Sequence, residues 1–191
     1  AIKRAGSAGA AIGNKLESLS QHPHPEIRGY AAGCLYHRAP GTFKPKIDAW
    51  LSANLPEQRR AGVIAAGETG ERGYAARLEK MMNNPDNEPL FKDILRALSK
   101  IDPGAQNELA ACFLEHTDAE LRRAALEALD ISEEHPFKQA IEHLGDPDNG
   151  IAELAKEKIQ SAGYINGQLL IEALNRPNRR LREAIFDLLE A

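Results

Sequence analysis

Apolar residues recur along this chain at helical spacing, and the helices they predict come in pairs. The clearest instance is His116–Asp130, HTDAELRRAALEALD. Thr117 or Asp118 supplies an N-cap, Glu120 falls in the first turn, and Leu121, Ala124, Ala125, Ala128 and Leu129 form one apolar stripe. Variants of the same stretch appear from one end of the chain to the other. The position that opens the second helix of each pair is Ile27, then Gln58, Leu90, Leu121, Ile151 and Leu181, at steps of 31, 32, 31, 30 and 30 residues. Eight positions further on stand Leu35, Ala66, Leu98, Leu129, Ile159 and Leu189. A period near 30 residues predicts an array of stacked helix pairs, each unable to bury its apolar face alone.

A first helix precedes each of these positions. It is marked by Leu16 and Leu19, Ile47 and Leu51, Leu78 and Met82, Cys112 and Leu114, Ile141 and Leu144, and Leu170 and Leu174. The connections between the helices read SQHPHPE, ANLPEQ, NNPDNEP, EHTDAE, GDPDNG and NRPNRR. Pro at a first helical turn and Asx at a cap are the signals that stop one helix and start the next. No stretch alternates in the manner of a strand. The predicted fold is all-α, a single repeat domain over 1–191 with units near 7–38, 39–70, 71–101, 102–132, 133–163 and 164–191. AIKRAG at Ala1–Gly6 matches IQSAG at Ile159–Gly163, with Ile2 in the place of Ile159, and reads as the tail of a preceding second helix. Phe186–Ala191 stops near the last apolar position of the sixth unit. Neither end carries a polar capping unit, so the chain is expected to be an excerpt of a longer array.

The connection Asp146-Pro147-Asp148, followed by an apolar residue and an alanine-rich helix, resembles those of HEAT repeats. More narrowly, the units resemble the short HEAT-like repeats first associated with phycobilisome lyases. The arginine after the opening apolar position in that family is matched by Arg28, Arg59, Arg122 and Arg182, and is replaced by Phe91 and Ala152 in the third and fifth units. The resemblance implies an α-solenoid curved into a right-handed superhelix, with the second helices lining its concave surface. It does not imply one function, because the repeat serves many unrelated ones.

Composition adds less than pattern does. Aromatics make up 5% of the 191 residues and alanine and leucine dominate the apolar set, which suits closely packed helices rather than a sandwich. No apolar run approaches the ~18–20 residues that cross a bilayer, so no membrane partner is expected. Cys34 and Cys112 fall at core-facing positions and read as buried structural thiols, consistent with a cytoplasmic location. The net charge of −4 conceals an asymmetry: residues 1–100 hold 15 Lys+Arg against 10 Asp+Glu, and residues 101–191 hold 9 against 18.

Candidate chemistry is sparse. The chain has no Gly-rich phosphate loop, HExxH, GxSxG or paired CxxC. His22 and His24 form the one close histidine pair, without a visible third ligand, and read as solvated connection residues. The expectation is a non-enzyme without a cofactor.

Two columns of the second helices lie off the buried stripe. One runs Gly29, Arg60, Lys92, Arg123, Glu153, Glu183, and the other Gly33, Ile64, Arg96, Glu127, Glu157, Asp187. They predict a concave face that is basic in units two to four and acidic in units five and six. Arg28, Arg59, Arg122 and Arg182 are expected to bond carbonyls or neighbouring carboxylates. Arg60, Lys92, Arg96, Arg123, Glu127, Glu153 and Glu157 are the candidate binding residues. The basic stretch is short and the chain has a single Trp, Trp50, which disfavours a nucleic-acid groove. The function expected is a non-catalytic protein- or peptide-binding scaffold. A chromophore-lyase-like or other enzyme subunit and nucleic-acid binding stand as alternatives, and the sequence leaves the oligomeric state open.

Overall fold

The computed structural model describes residues 2–162 and 166–190, with side chains from residue 11 onward. Among the described residues there are twelve α-helices and no strand. No described helix is long and apolar enough to cross a membrane. The chain divides into two compact units, residues 1–102 and 103–191. The division falls at the end of the third predicted helix pair.

The first unit contains α1 (Ile2–Leu19), α2 (Pro25–Tyr36), α3 (Pro40–Leu51), α4 (Pro56–Thr69), α5 (Ala75–Met82) and α6 (Phe91–Ile101), with 3-10 turns at Arg72–Tyr74 and Pro85–Leu90. The backbone runs as one helix through Gly6, without a break that would set a preceding helix apart from α1. The side chain of Ile2, like Ala1, Gly163 and Ala191, lies outside the described residues, and with it the proposed equivalence to Ile159. Pro25, Pro40 and Pro56 each open a helix, where the missing N–H costs nothing.

In this unit the second helices pack on one another, α2 on α4 and α4 on α6. They approach through their smallest residues. A methyl group added at Gly29 would lie 2.8 Å from the Ala61 carbonyl oxygen, and one at Gly67 would lie 2.7 Å from Ala97 Cα. Ala61 through Gly67 are buried without interruption, so α4 is sheathed on every side. Ile47, Leu78, Ile94, Leu95 and Leu98 complete the core.

The second unit contains α7 (Asn107–Ala111), α8 (Ala119–Ala128), α9 (Glu134–Glu142), α10 (Asn149–Ser161), α11 (Gly167–Ala173) and α12 (Arg179–Glu190), with a 3-10 turn at His143–Gly145. Here α8 packs on α10, and α12 on the His143–Gly145 turn and on α10. The core is larger-grained: Leu126, Leu129, Phe137, Ile141, Leu144, Ile151 and Ile159 are all fully buried. Asx residues cap the helices as the connections predict. The side chains of Asp118, Asp148 and Asn166 accept backbone N–H bonds at the starts of α8, α10 and α11.

The opening position of each second helix is buried at Leu90, Leu121, Ile151 and Leu181. The first two pairs depart from that expectation: Ile27 is 39% exposed, and Gln58 is exposed. In α2 and α4 the buried face has moved onto the glycines and alanines. Leu35, Ala66, Leu98, Leu129 and Ile159 are buried as predicted, whereas Leu189 is 46% exposed. Both cysteines are exposed, which corrects their placement in the core. Cys34 occupies the outward side of a helix that buries its glycines instead. Cys112 follows the end of the short α7, where helical spacing no longer dictates which way it faces.

Candidate binding surface

The arginine that follows the opening position reaches the carbonyl six residues before it wherever it occurs. Arg28 Nη1 donates to the carbonyls of His22 (2.9 Å) and Pro23 (3.0 Å), and Arg59 Nη1 to those of Ala53 (3.1 Å) and Asn54 (2.8 Å). Arg122 Nη1 donates to His116 (2.9 Å) and Thr117 (3.2 Å), and Arg182 Nη1 to Arg176 (2.7 Å). Each guanidinium thus reaches back to carbonyls of the connection that its own helix has just left. In the third pair, which lacks the arginine, the buried Asn87 donates from Nδ2 to the Met81 carbonyl at 3.0 Å.

Two of these arginines also reach the next connection. Arg28 Nη2 donates to the Glu57 carbonyl at 3.4 Å. Arg122 holds Asp146 bidentately, with Nε to Oδ2 and Nη2 to Oδ1 both at 3.0 Å. Asp146 and His143 are each only 5% exposed, and His143 Nδ1 stands 3.4 Å from Asp146 Oδ2. Burial opposes ionisation of Asp146. The hydrogen bonds from Arg122 and from the Asp148 backbone N–H outweigh it and hold the carboxyl below its usual value. Bonding to Asp146 raises the Arg122 guanidinium in turn, against the opposing effect of burial.

Histidines of the connections serve the backbone. His22 Nδ1 accepts the N–H of His24 at 3.1 Å, and His116 Nδ1 that of Asp118 at 3.0 Å. Asp146 Oδ1 accepts the N–H of Asp148 in the same way, at 2.8 Å. His22 and His116 are therefore turn formers rather than merely solvated. Among the described residues no cluster of three or more His, Cys, Asp or Glu is placed to hold a metal ion.

The candidate binding residues divide between the two units. In the first unit Arg60 is fully engaged. Its Nε donates to Asp93 Oδ2 at 2.8 Å and its Nη2 pairs with Glu26. This corrects the expectation that its column has no intramolecular duty, and it gives Asp93 a partner at a position where the second, fourth and sixth pairs carry alanine. Lys100 pairs with Glu68 and lies 5.5 Å from the centre of the Tyr30 ring. Lys92 and Arg96 are half-buried, and each is engaged in an interaction of its own. Tyr30, Ile64, Gly67, Glu68, Arg96 and Lys100 help to line a groove, but its volume is only about 20 Å³. The second-helix face of this unit is filled by its own side chains. Gly29, Gly33 and Ile64, assigned to columns off the buried stripe, are buried at the helix contacts.

Trp50, on α3, is half-buried with Lys46 Nζ 4.9 Å and Arg28 Cζ 5.6 Å from its ring centre. Both cations belong to the same unit as the ring and lie within cation–π distance of it. Lys46 also donates to the Ser20 carbonyl at 3.1 Å, and burial followed by the nearby Arg28 lowers its amine from the usual value.

In the second unit the arrangement is more open. Arg123 is half-buried, with its guanidinium laid against Gly150 at the start of α10, and makes no hydrogen bond or ion pair among the described residues. Glu153 and Glu157 are exposed and likewise without a partner among the described residues. Glu127 is half-buried and engaged, and its carbonyl accepts from Lys158. Glu183 pairs with Arg179 and Asp187 with Lys156.

Arg122 meets the neighbouring carboxylate expected of it at Asp146, which stands in the connection one repeat further on. The burial of His143 beside that pair, and the position of Lys158 between two helix ends, follow only from packing. No protein-family model matches this chain, and no curated protein matches its sequence.

Proposed function

We propose that this chain is an α-solenoid of about six HEAT-like helix pairs serving as a non-catalytic scaffold for a protein or peptide. The observation that carries the reading is the repeated arginine contact: four of the six second helices return a guanidinium to the connection before them. A device repeated at the same place in successive pairs supports a nearest-neighbour array, whose use is the extended surface it presents.

Within that reading the second-helix face of the second unit is the docking surface. Arg123, Glu153 and Glu157 are the candidate residues there without a partner among the described residues. A partner with a basic segment, able to pair with Glu153 and Glu157, suits this face. The first unit's Arg60 would have to give up Asp93 and Glu26 to bind anything. The test is binding of Lys/Arg-rich and Asp/Glu-rich helical peptides, read by fluorescence anisotropy at two salt concentrations. The expected result is preference for the basic set, lost in a Glu153→Lys/Glu157→Lys variant and kept in Arg60→Met. Equal binding of both sets, or binding indifferent to the double reversal, would overturn the assignment.

A further inference from the structure

Lys158 is the one lysine of the second unit that the packing takes out of water without giving it a carboxylate. It lies on the last turns of α10 and its Nζ donates to the Glu127 carbonyl, in the last turn of α8, at 3.2 Å. Among the described residues no Asp or Glu oxygen lies within ion-pair distance of it. Above the amine opens a cavity of about 410 Å³ lined by Leu129, Asp130, Ile131, Ser132, Ser161 and Ala162. Leu129 and Ile131 are buried and give it an apolar floor, and Ser132 and Ser161 complete its lining. A primary amine at the wall of a partly apolar cavity is the arrangement in which lysines act as nucleophiles toward carbonyl groups.

We infer that Lys158 is a covalent attachment site for a small aldehyde or ketone held in this cavity. The Nζ lone pair adds to the carbonyl carbon and the resulting carbinolamine loses water. The product is a C=N bond to Nζ and one water molecule, and no oxidant or reductant takes part. Ser132, which lines the same cavity, supplies a hydroxyl for the departing oxygen, whereas the Ser161 hydroxyl is already donated to the Lys158 main-chain carbonyl at 3.0 Å. The amine is available for this because burial lowers it from the usual lysine value, a tendency that the charges of Asp130 and Glu127 oppose but do not cancel. The hydrogen bond of Lys158 to the Glu127 carbonyl at the end of α8 is compatible with this chemistry, since an imine releases one donor on a helix end that is otherwise formed.

The experiment treats the whole chain with limiting pyridoxal and, separately, with propanal. Sodium cyanoborohydride traps the imine, and each lysine is followed by peptide mass spectrometry between pH 6.5 and 9. Lys158 is expected to label at least about three-fold faster at neutral pH than the exposed Lys15 and Lys80, the advantage shrinking as pH rises and every amine deprotonates. Lys158→Arg retains a donor for the Glu127 carbonyl and should lose this fast label while keeping the thermal midpoint. Ser161→Trp, which fills the cavity, should slow Lys158 without changing Lys15 or Lys80. Labelling of Lys158 no faster than that of Lys15 and Lys80, or unaffected by Ser161→Trp, would overturn the inference.

Discussion

In residues 1–102 the second helices meet through glycine and alanine, whereas in residues 103–191 polar side chains from the connections pin one helix pair to the next. The first unit brings α2, α4 and α6 so close that backbone touches backbone at Gly29 and Gly67. Charged side chains on the shared face then span three helices, as Glu26, Arg60 and Asp93 do. The second unit buries larger residues such as Leu126 and Phe137 and fastens its helices by specific bonds. Arg122 holds Asp146, and Asn107 makes two bonds with the Asp130 backbone, its Nδ2 to the carbonyl at 2.9 Å and its Oδ1 from the N–H at 2.8 Å. Asn178 Nδ2 reaches the Gly145 carbonyl at 3.2 Å. The same repeat pattern therefore yields one face already filled and one that leaves Glu153 and Glu157 exposed. Availability of a face depends on how closely its helices approach, and residue size at the contact sets that distance.

The strongest way to break the comparison is Asp146→Ala. It leaves the nearly buried Arg122 guanidinium without its carboxylate and should cost about 3–5 kcal/mol, read by urea denaturation with a probe in residues 103–191. A loss below about 1 kcal/mol would mean that this pin behaves as a surface pair. Gly29→Ala tests the other side of the contrast. The added methyl meets the Ala61 carbonyl oxygen, which cannot move cheaply, and the cost should be about 1–3 kcal/mol. Stabilisation, the usual result for Gly→Ala inside an exposed helix, would show that α2 and α4 can spread apart.

Acid should weaken the second unit through Asp146. The Asp146 carboxyl is held below its ordinary value of 3.8, so the stability it contributes is complete above that value. It is lost as pH falls through the lower folded value, and Asp146→Asn should flatten that part of the pH profile. The smallest effect belongs to the open face. Glu153→Gln should change stability by no more than about 0.5 kcal/mol, which separates a residue available for binding from one that holds the fold.

The sequence by itself determined the helices, their pairing and the connections. The evidence lies in residues such as Leu121, Leu129, Ile151 and Ile159, whose apolar spacing fits one buried stripe, and in Pro56 and Asp118, whose backbone preferences start helices wherever they stand. It also determined the duty of Arg28, Arg59, Arg122 and Arg182, because a guanidinium at a fixed offset meets the same carbonyls each time. Only the tertiary structure decided which charges remain available. Arg60 and Arg123 occupy the same column, yet one is claimed by Asp93 and Glu26 while the other lies against Gly150 without a partner among the described residues. Cys34 and Ile27 likewise sit at positions that periodicity assigns to the core, and they face outward because α2 buries its glycines against α4. Periodicity fixes direction around a single helix axis. Partners and exposure depend on the distance between helices, and that distance emerges only when the contacts are made.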